Sequence, residues 1–147
     1  MNANLRQATA DDMSAIVALA MQGLPEAWSD SLMRQTFDTA GYEYWLFEQH
    51  DAVVGYYLTL DVCDETHLMQ VVVAEHCRDQ GIGKLMLGHL IAQKRGRRIL
   101  LEVRVSNSAA IGLYRAVGFQ RDGVRAGYYK ALVGQVAEDA MLMHLAA

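Results

Sequence analysis

The first stretch of the sequence that could do chemistry combines glycine with positive charge. The β-branched run Val71-Val72-Val73 leads into a polar turn with the pattern Arg78-x-x-Gly81-x-Gly83. A helix that begins after such a turn presents amides without carbonyl partners and the positive end of its dipole. Glycine lets an anion approach those amides without meeting a Cβ. The turn therefore predicts an anion site, made of Arg78, Asp79, Gln80, Gly81, Ile82, Gly83 and Lys84.

Two common phosphate motifs do not fit this turn. A nucleoside-triphosphate loop, GxxxxGK[ST], would need glycine at 78 and serine or threonine at 85, where the chain has Arg78 and Leu85. A dinucleotide fingerprint, GxGxxG, would need a third glycine at the position of Met86. The remaining interpretations are a different phosphate ligand, or a turn that only connects a strand to a helix.

Glu102 is the most informative residue outside the turn. It lies in the apolar run 99–105, where strand alternation puts it on the face opposite Leu101 and Val103. A carboxylate in such a strand must be paired or solvated. One interpretation is a Glu102–Arg104 pair on a solvated face. The other is a partly buried carboxylate that accepts a proton during catalysis.

Three tyrosines are the other candidates. The spacing of Tyr114 from Ala110 and Val117 predicts that it faces inward, either as a core residue or as a proton donor. Tyr128 and Tyr129 could line a substrate entrance or simply pack. The five histidines show no ligand spacing, so we expect no metal site.

The composition favours a single globular domain over residues 1–147, with 52% hydrophobic residues and a net charge of −4. That charge gives no electrostatic reason to expect nucleic-acid binding. Two cysteines without a CxxC motif favour a reducing compartment. No apolar run has the length of a membrane span, and the N-terminus lacks a signal-peptide pattern. We therefore expect a cytoplasmic protein that is a monomer or a weak dimer.

The elements that must position these residues follow the order βααβββαβαββ. Periodicity and turn signals predict strands over 5–9, 43–49, 52–60, 67–73, 99–105, 119–128 and 136–144. Helices are predicted from Asp11 or Asp12 to Gly23, from Ser29 or Asp30 to about 39, from Gly83 to about 94, and over 108–117 after an Asn107 cap. Leu32 and Leu85 are expected to face the core. The fold class is α+β, with a mixed, largely antiparallel seven-stranded sheet flanked by four helices.

The glycine turn resembles the acyl-CoA pyrophosphate loop of the GNAT acetyltransferase superfamily. A longer string resembles the ribosomal-protein alanine N-acetyltransferases of the RimI type within it. Its segments are Leu101-Glu102-Val103-Arg104, Ser106-Asn107, Ala110-Ile111, Leu113-Tyr114 and Gly118-Phe119. Shorter segments elsewhere are similar to the DEAxL, PWS, YYP and EDA motifs of that family. They are residues 64–68, Ala27-Trp28-Ser29, Tyr128-Tyr129 and Glu138-Asp139-Ala140.

The resemblance implies a three-layer α/β/α fold and transfer of acetyl from acetyl-CoA to a protein α-amine, with no metal. The implied acceptor is the N-terminal alanine of the eighteenth protein of the small ribosomal subunit. Glu102 would be the base and Tyr114 the acid. Coenzyme A would be held by Val71, Val72 and Val73, by the turn from Arg78 to Lys84, and by Asn107. Trp28, Tyr128 and Tyr129 would bind the acceptor.

The chain departs from the family pattern where a peptide would enter. Ala27 and Lys130 replace usual prolines, and residues 134–137 replace a usual glycine–arginine approach to the EDA segment. Two other functions therefore remain open: an acetyltransferase for a small amine such as a polyamine or an aminoglycoside, and a non-catalytic acyl-CoA-binding module.

Overall fold

In the residues that the structure describes, seven strands and four α-helices follow one another in the predicted order. The computed structural model describes residues 4–24, 28–129 and 137–147. The strands are β1 (Leu5–Gln7), β2 (Tyr42–Gln49), β3 (Ala52–Val62), β4 (Glu65–Val73), β5 (Arg98–Arg104), β6 (Gln120–Tyr129) and β7 (Glu138–Leu145). The helices are α1 (Met13–Gly23), α2 (Asp30–Phe37), α3 (Ile82–Gln93) and α4 (Ser108–Ala116). The predictions for Ala27, Lys130, residues 134–136 and the start of the last strand at Val136 lie outside the described residues.

The strands form one sheet in the order β1-β2-β3-β4-β5-β7-β6. Only β4 and β5 run parallel, because α3 crosses over between them, and the other neighbours are antiparallel. The predicted fold class, a mixed and mostly antiparallel seven-stranded sheet with four helices, is confirmed.

Local turn and cap chemistry explains most of the element boundaries. His50 and Asp51, at φ 52° and 63°, form the tight turn between β2 and β3. Ser29 Oγ accepts a hydrogen bond from Leu32 N at 3.2 Å at the start of α2. Asn107 Oδ1 caps α4 in the same way, accepting from the amide of Ala110 at 3.2 Å.

The cap predicted for α1 is correct in its position but not in its hydrogen bonding. Asp12 is the N-cap residue of α1, but its side chain makes no capping hydrogen bond to that helix, because a 3-10 turn over Ala10–Asp12, with Thr9 as its own N-cap, precedes α1. Asp12 closes back on that turn, accepting from Thr9 N at 2.7 Å, and its carboxylate also pairs with Arg6 Nη1 at 2.8 Å. Asp12 thus links the first strand to the first helix.

The helices cover both faces of the central strands. Tyr56 of β3 lies near Tyr44 on the face where the Tyr44 hydroxyl reaches Thr36 of α2. Tyr57, one residue later, points to the other face, and its hydroxyl lies 2.8 Å from His89 Nδ1 of α3. Both tyrosine side chains are buried. The centre of the sheet is therefore enclosed between α1–α2 and α3.

Two apolar residues expected in the core are exposed. Leu32 is 39% and Leu85 is 43% accessible. Helix α3 has apolar residues on more than one side, and the buried stripe consists of Ile82, Met86, Leu87 and Leu90. Leu85 lies at the edge of this stripe and faces solvent, so the predicted stripe is correct for three of its four members.

Candidate functional site

A gap opens inside the sheet between the two parallel strands. The ladder of β4 and β5 consists of Glu65 to His67 with Arg98 to Leu100, and no later residues of the two strands pair in the described part of the chain. In β4, Leu68 pairs with Thr59 and Gln70 with Leu58, which leaves Met69 as an extra residue. Such a bulge bends its strand and increases the twist. The two strands therefore diverge from Met69 onward.

The carboxyl end of β4 presents backbone groups to this gap. The Ala74 amide donates to the Val54 carbonyl at 2.7 Å, toward β3. Because N–H groups alternate in direction along a strand, the amide of Val72 also points to β3, whereas those of Val71 and Val73 point into the gap. Arg78 Nε donates to the Val73 carbonyl at 3.2 Å, at the mouth of the gap.

The predicted anion site lies at the N-terminus of α3. Asp79 and Gly81 both have positive φ, 63° and 79°, and Gly81 is the N-cap residue. The first hydrogen bond of the helix runs from Leu85 N to the Gly81 carbonyl at 3.0 Å. The amides of residues 82–84 precede that bond, and no side chain of the described residues caps them. The sequence thus builds a turn with free amides, as predicted from the glycine pattern.

Each of the two glycines in the turn has a separate structural reason. Gly81 adopts the left-handed conformation, and a Cβ there would meet nothing within 4 Å. Gly83 has an ordinary conformation, but a Cβ there would lie 3.1 Å from Leu113 Cδ2 of α4. A side chain at the second glycine would therefore require Leu113 to shift, a reason for glycine that the sequence pattern did not show.

A shallow groove continues from the turn along the solvent side of α3. It has a volume of about 570 Å³. It is lined by Gln80, Gly81, Lys84, Leu85, Gly88, His89 and Ala92. Gly81, Gly88 and Ala92 are small, so their side chains do not fill the groove. Lys84 supplies a positive charge next to the free amides. The groove is open to solvent and adjoins the anion site.

Glu102 lies on the uncovered face of β5 and is exposed. The interpretation as a partly buried carboxylate is therefore wrong, because α1 packs on β3 and β4 and α2 packs on β2, which leaves this face of β5 to solvent. Arg104 pairs with Glu138 Oε1 at 3.1 Å. The solvated-face interpretation is correct in placing Glu102 in water.

Tyr128 is next to Glu102 although β7 separates their strands. Hydrogen bonding to Glu102, together with burial and the negative charge of that carboxylate, raises the pKa of the Tyr128 hydroxyl. The guanidinium of Arg125 lies 4.9 Å from the centre of the Tyr128 ring. Tyr129 packs perpendicular to Tyr128, with ring centres 5.1 Å apart. The structure thus joins the two tyrosines to the candidate base.

Tyr114 faces inward, as its spacing predicted. Its side chain is 7% exposed and packs edge-on against Phe119, with ring centres 5.8 Å apart. Burial raises the pKa of the Tyr114 hydroxyl to about 12. The residue is therefore a neutral phenol, able to donate a hydrogen bond, at any physiological pH.

The remaining predicted site residues are Trp28 and Asn107. Trp28 packs edge-on against Tyr42, with ring centres 6.5 Å apart. Tyr42 belongs to β2, which is three strands from β5 in the sheet. Asn107 is exposed at the start of α4, the helix that carries Tyr114.

The network around Arg104 was not predicted from the sequence. Its partner Glu138 and the neighbouring Asp139 were expected only as members of the EDA-like segment. The signal that could have found them is a pair of carboxylates at the start of a strand whose neighbours carry Arg104 and Arg125. In the described ranges, no cluster of three or more histidine, cysteine, aspartate or glutamate residues could hold a metal ion. No helix there is both long and apolar enough to cross a membrane.

The chain is similar in sequence and in fold to proteins of one known family. Residues 13–119 match the Acetyltransferase (GNAT) family. The [Ribosomal protein bS18]-alanine N-acetyltransferase of Escherichia coli K12 is 34% identical over 146 residues, covering 90% of this chain and 97% of that protein. The crystal structure of the Escherichia coli ribosomal-protein-S18-alanine N-acetyltransferase superposes with a TM-score of 0.87 at 30% identity, covering 96% of this chain and 91% of that one.

A more distant structure shares only the fold. Arabidopsis thaliana NAA60, crystallised in complex with acetyl-CoA, has a TM-score of 0.84 at 17% identity, with 96% of each chain covered. The family match spans both the anion turn and the string from Glu102 to Phe119. By its sequence, its fold and these relatives of the RimI type, the chain belongs to the GNAT family of acetyltransferases.

Proposed function

We propose that this protein transfers the acetyl group of acetyl-CoA to the N-terminal α-amine of a protein, and that its acceptor is the N-terminal alanine of ribosomal protein bS18. The observation that carries the proposal is the position of the sheet gap between the free amides of α3 and the exposed carboxylate of Glu102. The 34% identity with the Escherichia coli enzyme over 97% of its length supports the choice of acceptor.

Acetyl-CoA fits the gap and the turn because both present backbone donors. The pyrophosphate would rest on the amides of the turn from Asp79 to Lys84, near the charges of Arg78 and Lys84. The pantetheine would lie along β4 as an extended strand does, bonded to Val71 and Val73. Val72 would contribute by holding β4 against β3, and Asn107 would contact the coenzyme from the start of α4.

The reaction needs a neutral amine, and Glu102 would provide it. An α-amino group has an ordinary pKa of about 7.7–8.0, against about 10.4 for lysine, so little assistance is required. Glu102 would take the proton directly or through a water molecule. The amine nitrogen then attacks the thioester carbon and a C–N bond forms. The C–S bond breaks to release the coenzyme A thiolate, and the nitrogen loses its second proton to solvent to give the neutral amide.

Tyr114 would act on the departing sulfur. Because its pKa is about 12, its hydroxyl keeps its proton and donates a hydrogen bond as negative charge develops on sulfur. An ordinary thiol has a pKa of about 8.5, so the released thiolate is finally protonated from solvent. Tyr114 is therefore called the acid because its hydroxyl donates a hydrogen bond to the sulfur, while the proton itself comes from solvent.

One assay tests the proposed function against its alternatives. The protein is incubated with labelled acetyl-CoA and a peptide that begins with the N-terminal alanine of bS18, an α-blocked copy of that peptide, or spermidine. We expect label on the free peptide alone. Label on spermidine alone would identify a small-amine acetyltransferase, and coenzyme binding without transfer to any amine would identify a binding module.

A further inference from the structure

The pairing of β6 with β7 is interrupted beside Glu102. Arg125 pairs with Ala140 and Tyr129 with Glu138, so residues 126–128 stand opposite the single residue Asp139. The extra residues bend β6 and carry Tyr128 out of the ladder toward β5. The position of Tyr128 therefore depends on what holds this bulge.

Asp139 holds the bulge from the neighbouring strand. Its Oδ1 accepts a hydrogen bond from Gly127 N at 2.8 Å, where Gly127 has φ 62°. Its carbonyl accepts from Val105 N at 3.2 Å, just beyond the end of β5. One residue thus links the bulge in β6 to the strand that carries Glu102.

Glu138 holds the second tyrosine through Arg104. Its Oε1 lies 3.1 Å from Arg104 Nη1, and its Oε2 accepts from Ser106 N at 3.0 Å. The Arg104 guanidinium lies 4.5 Å from the centre of the Tyr129 ring. The contacts therefore run from the loop before α4, through Glu138 and Arg104, to Tyr129 and its neighbour Tyr128.

The hydrogen bond between Asp139 and Gly127 is poorly suited to a purely stabilising role. Gly127 and Tyr128 are exposed, whereas the side chains of Glu138 and Arg104 are 25% and 12% exposed. Water competes for the exposed groups at Gly127, so this bond adds little to stability. What these contacts determine is the place of two aromatic side chains beside the candidate base.

We propose that Glu138 and Asp139 are positioning residues that hold Tyr128 and Tyr129 beside Glu102 and so give the enzyme its preference for a peptide N-terminus over a free small amine. A small amine needs only Glu102 to lose its proton. A peptide also has backbone and side-chain atoms next to its α-amine. These atoms need Tyr128 and Tyr129 to pack against. This inference rests on the proposed function.

The decisive variants are Asp139→Ala and Asp139→Asn. Alanine removes the acceptor for Gly127 N, whereas asparagine keeps an oxygen in its place. We expect Asp139→Ala to raise the KM for the peptide at least fivefold, with the KM values for acetyl-CoA and alanine amide unchanged, and Asp139→Asn to restore most of the peptide KM. Glu138→Ala should resemble Asp139→Ala, with Glu138→Gln intermediate because it retains an oxygen but loses the charge.

A matched control variant, and a measurement that needs no substrate, distinguish this positioning role from a general loss of structure. Asp122→Ala removes an acid of β6 that pairs with His144, away from the bulge, and should leave the peptide KM unchanged. The exchange rate of the Gly127 amide, measured by NMR, should rise in Asp139→Ala and return in Asp139→Asn.

Parallel changes in the KM values for peptide and alanine amide would overturn the proposal, as would an unchanged Gly127 exchange rate in Asp139→Ala. If the wild-type protein acetylates no peptide, the proposed function fails. In that case, faster Gly127 exchange in Asp139→Ala would still support the positioning of the bulge, and unchanged exchange would refute it.

Discussion

Gly83 and Leu113 join the two helices of the site by close contact. A Cβ built on Gly83 would lie 3.1 Å from Leu113 Cδ2, closer than most real contacts of a Cβ. The start of α3, which carries the free amides, thus comes close to the helix that carries Tyr114. A glycine that appears in the sequence as part of an anion motif therefore also allows the close approach of the two helices.

Alanine substitution at two glycines of α3 measures this contact. Gly88→Ala meets nothing within 4 Å and should raise the free energy of unfolding by about 0.5–1 kcal/mol, because alanine favours the helix. Gly83→Ala should raise the free energy of unfolding by less than this, or should lower it, because Leu113 must move to make room for the new Cβ. Urea denaturation of both variants is the measurement, and equal gains would show that the contact carries no cost.

Removing the two proposed catalytic groups should slow turnover without loss of coenzyme binding. General acid–base assistance is typically worth about 10²–10⁴-fold. We expect Glu102→Gln and Tyr114→Phe each to lower kcat at least tenfold, while calorimetry finds nearly the same affinity for acetyl-CoA. Near-normal turnover in both variants would remove these assignments.

Lys84 should contribute to coenzyme binding through charge. It is exposed beside the free amides of α3, where a phosphate would lie. Lys84→Met should weaken coenzyme A binding about two- to fivefold at low ionic strength and less at high salt. Arg95→Met, two residues beyond the other end of the same helix, is the control. Equal losses in the two variants would mean that only the net charge of the protein matters.

The contact between Tyr57 and His89 should make stability depend on pH. Burial lowers the pKa of His89, so the unfolded chain takes up a proton at a higher pH than the folded protein does. The stability is complete above the ordinary histidine pKa of about 6.5 and is lost as the pH falls through the lower, folded-state pKa.

We therefore expect urea midpoints of the wild-type protein to fall between pH 7.5 and pH 5, and those of His89→Asn to fall less. Asparagine can still accept from the Tyr57 hydroxyl but does not titrate. Identical pH profiles for the two proteins would show that His89 is not responsible.

Most of the element order could be predicted because its signals are local. The turn at His50 and Asp51, the caps at Ser29 and Asn107, and the glycine before α3 each depend on neighbours within a few residues. The exposure of Leu85 could not be predicted in this way, since the apolar residues of α3 occupy more than one side and only the packed sheet selects among them. The missing side-chain hydrogen bond at the cap of α1 could not be predicted for a related reason: the Asp12 carboxylate bonds to Thr9 and Arg6 instead.

Local features of the candidate site could be predicted from the sequence, but its geometry could not. The anion turn follows from glycine spacing, and the inward position of Tyr114 follows from helical period. The gap depends on the bulge at Met69, which only the pairing of β3 with β4 shows. The exposure of Glu102 depends on which strands the helices cover. The links from Asp139 to Gly127 and from Glu138 to Arg104 join strands that no local pattern relates.

The divergence of β4 and β5 leaves two strand edges open in the middle of the sheet. A coenzyme lying between them would take the place of a missing strand, so it would be a structural part of the protein as well as its reactant. By mass action, a molecule that binds only the native state raises the melting temperature and slows degradation as its concentration increases. The cellular lifetime of such an enzyme would then follow the supply of its own acetyl donor.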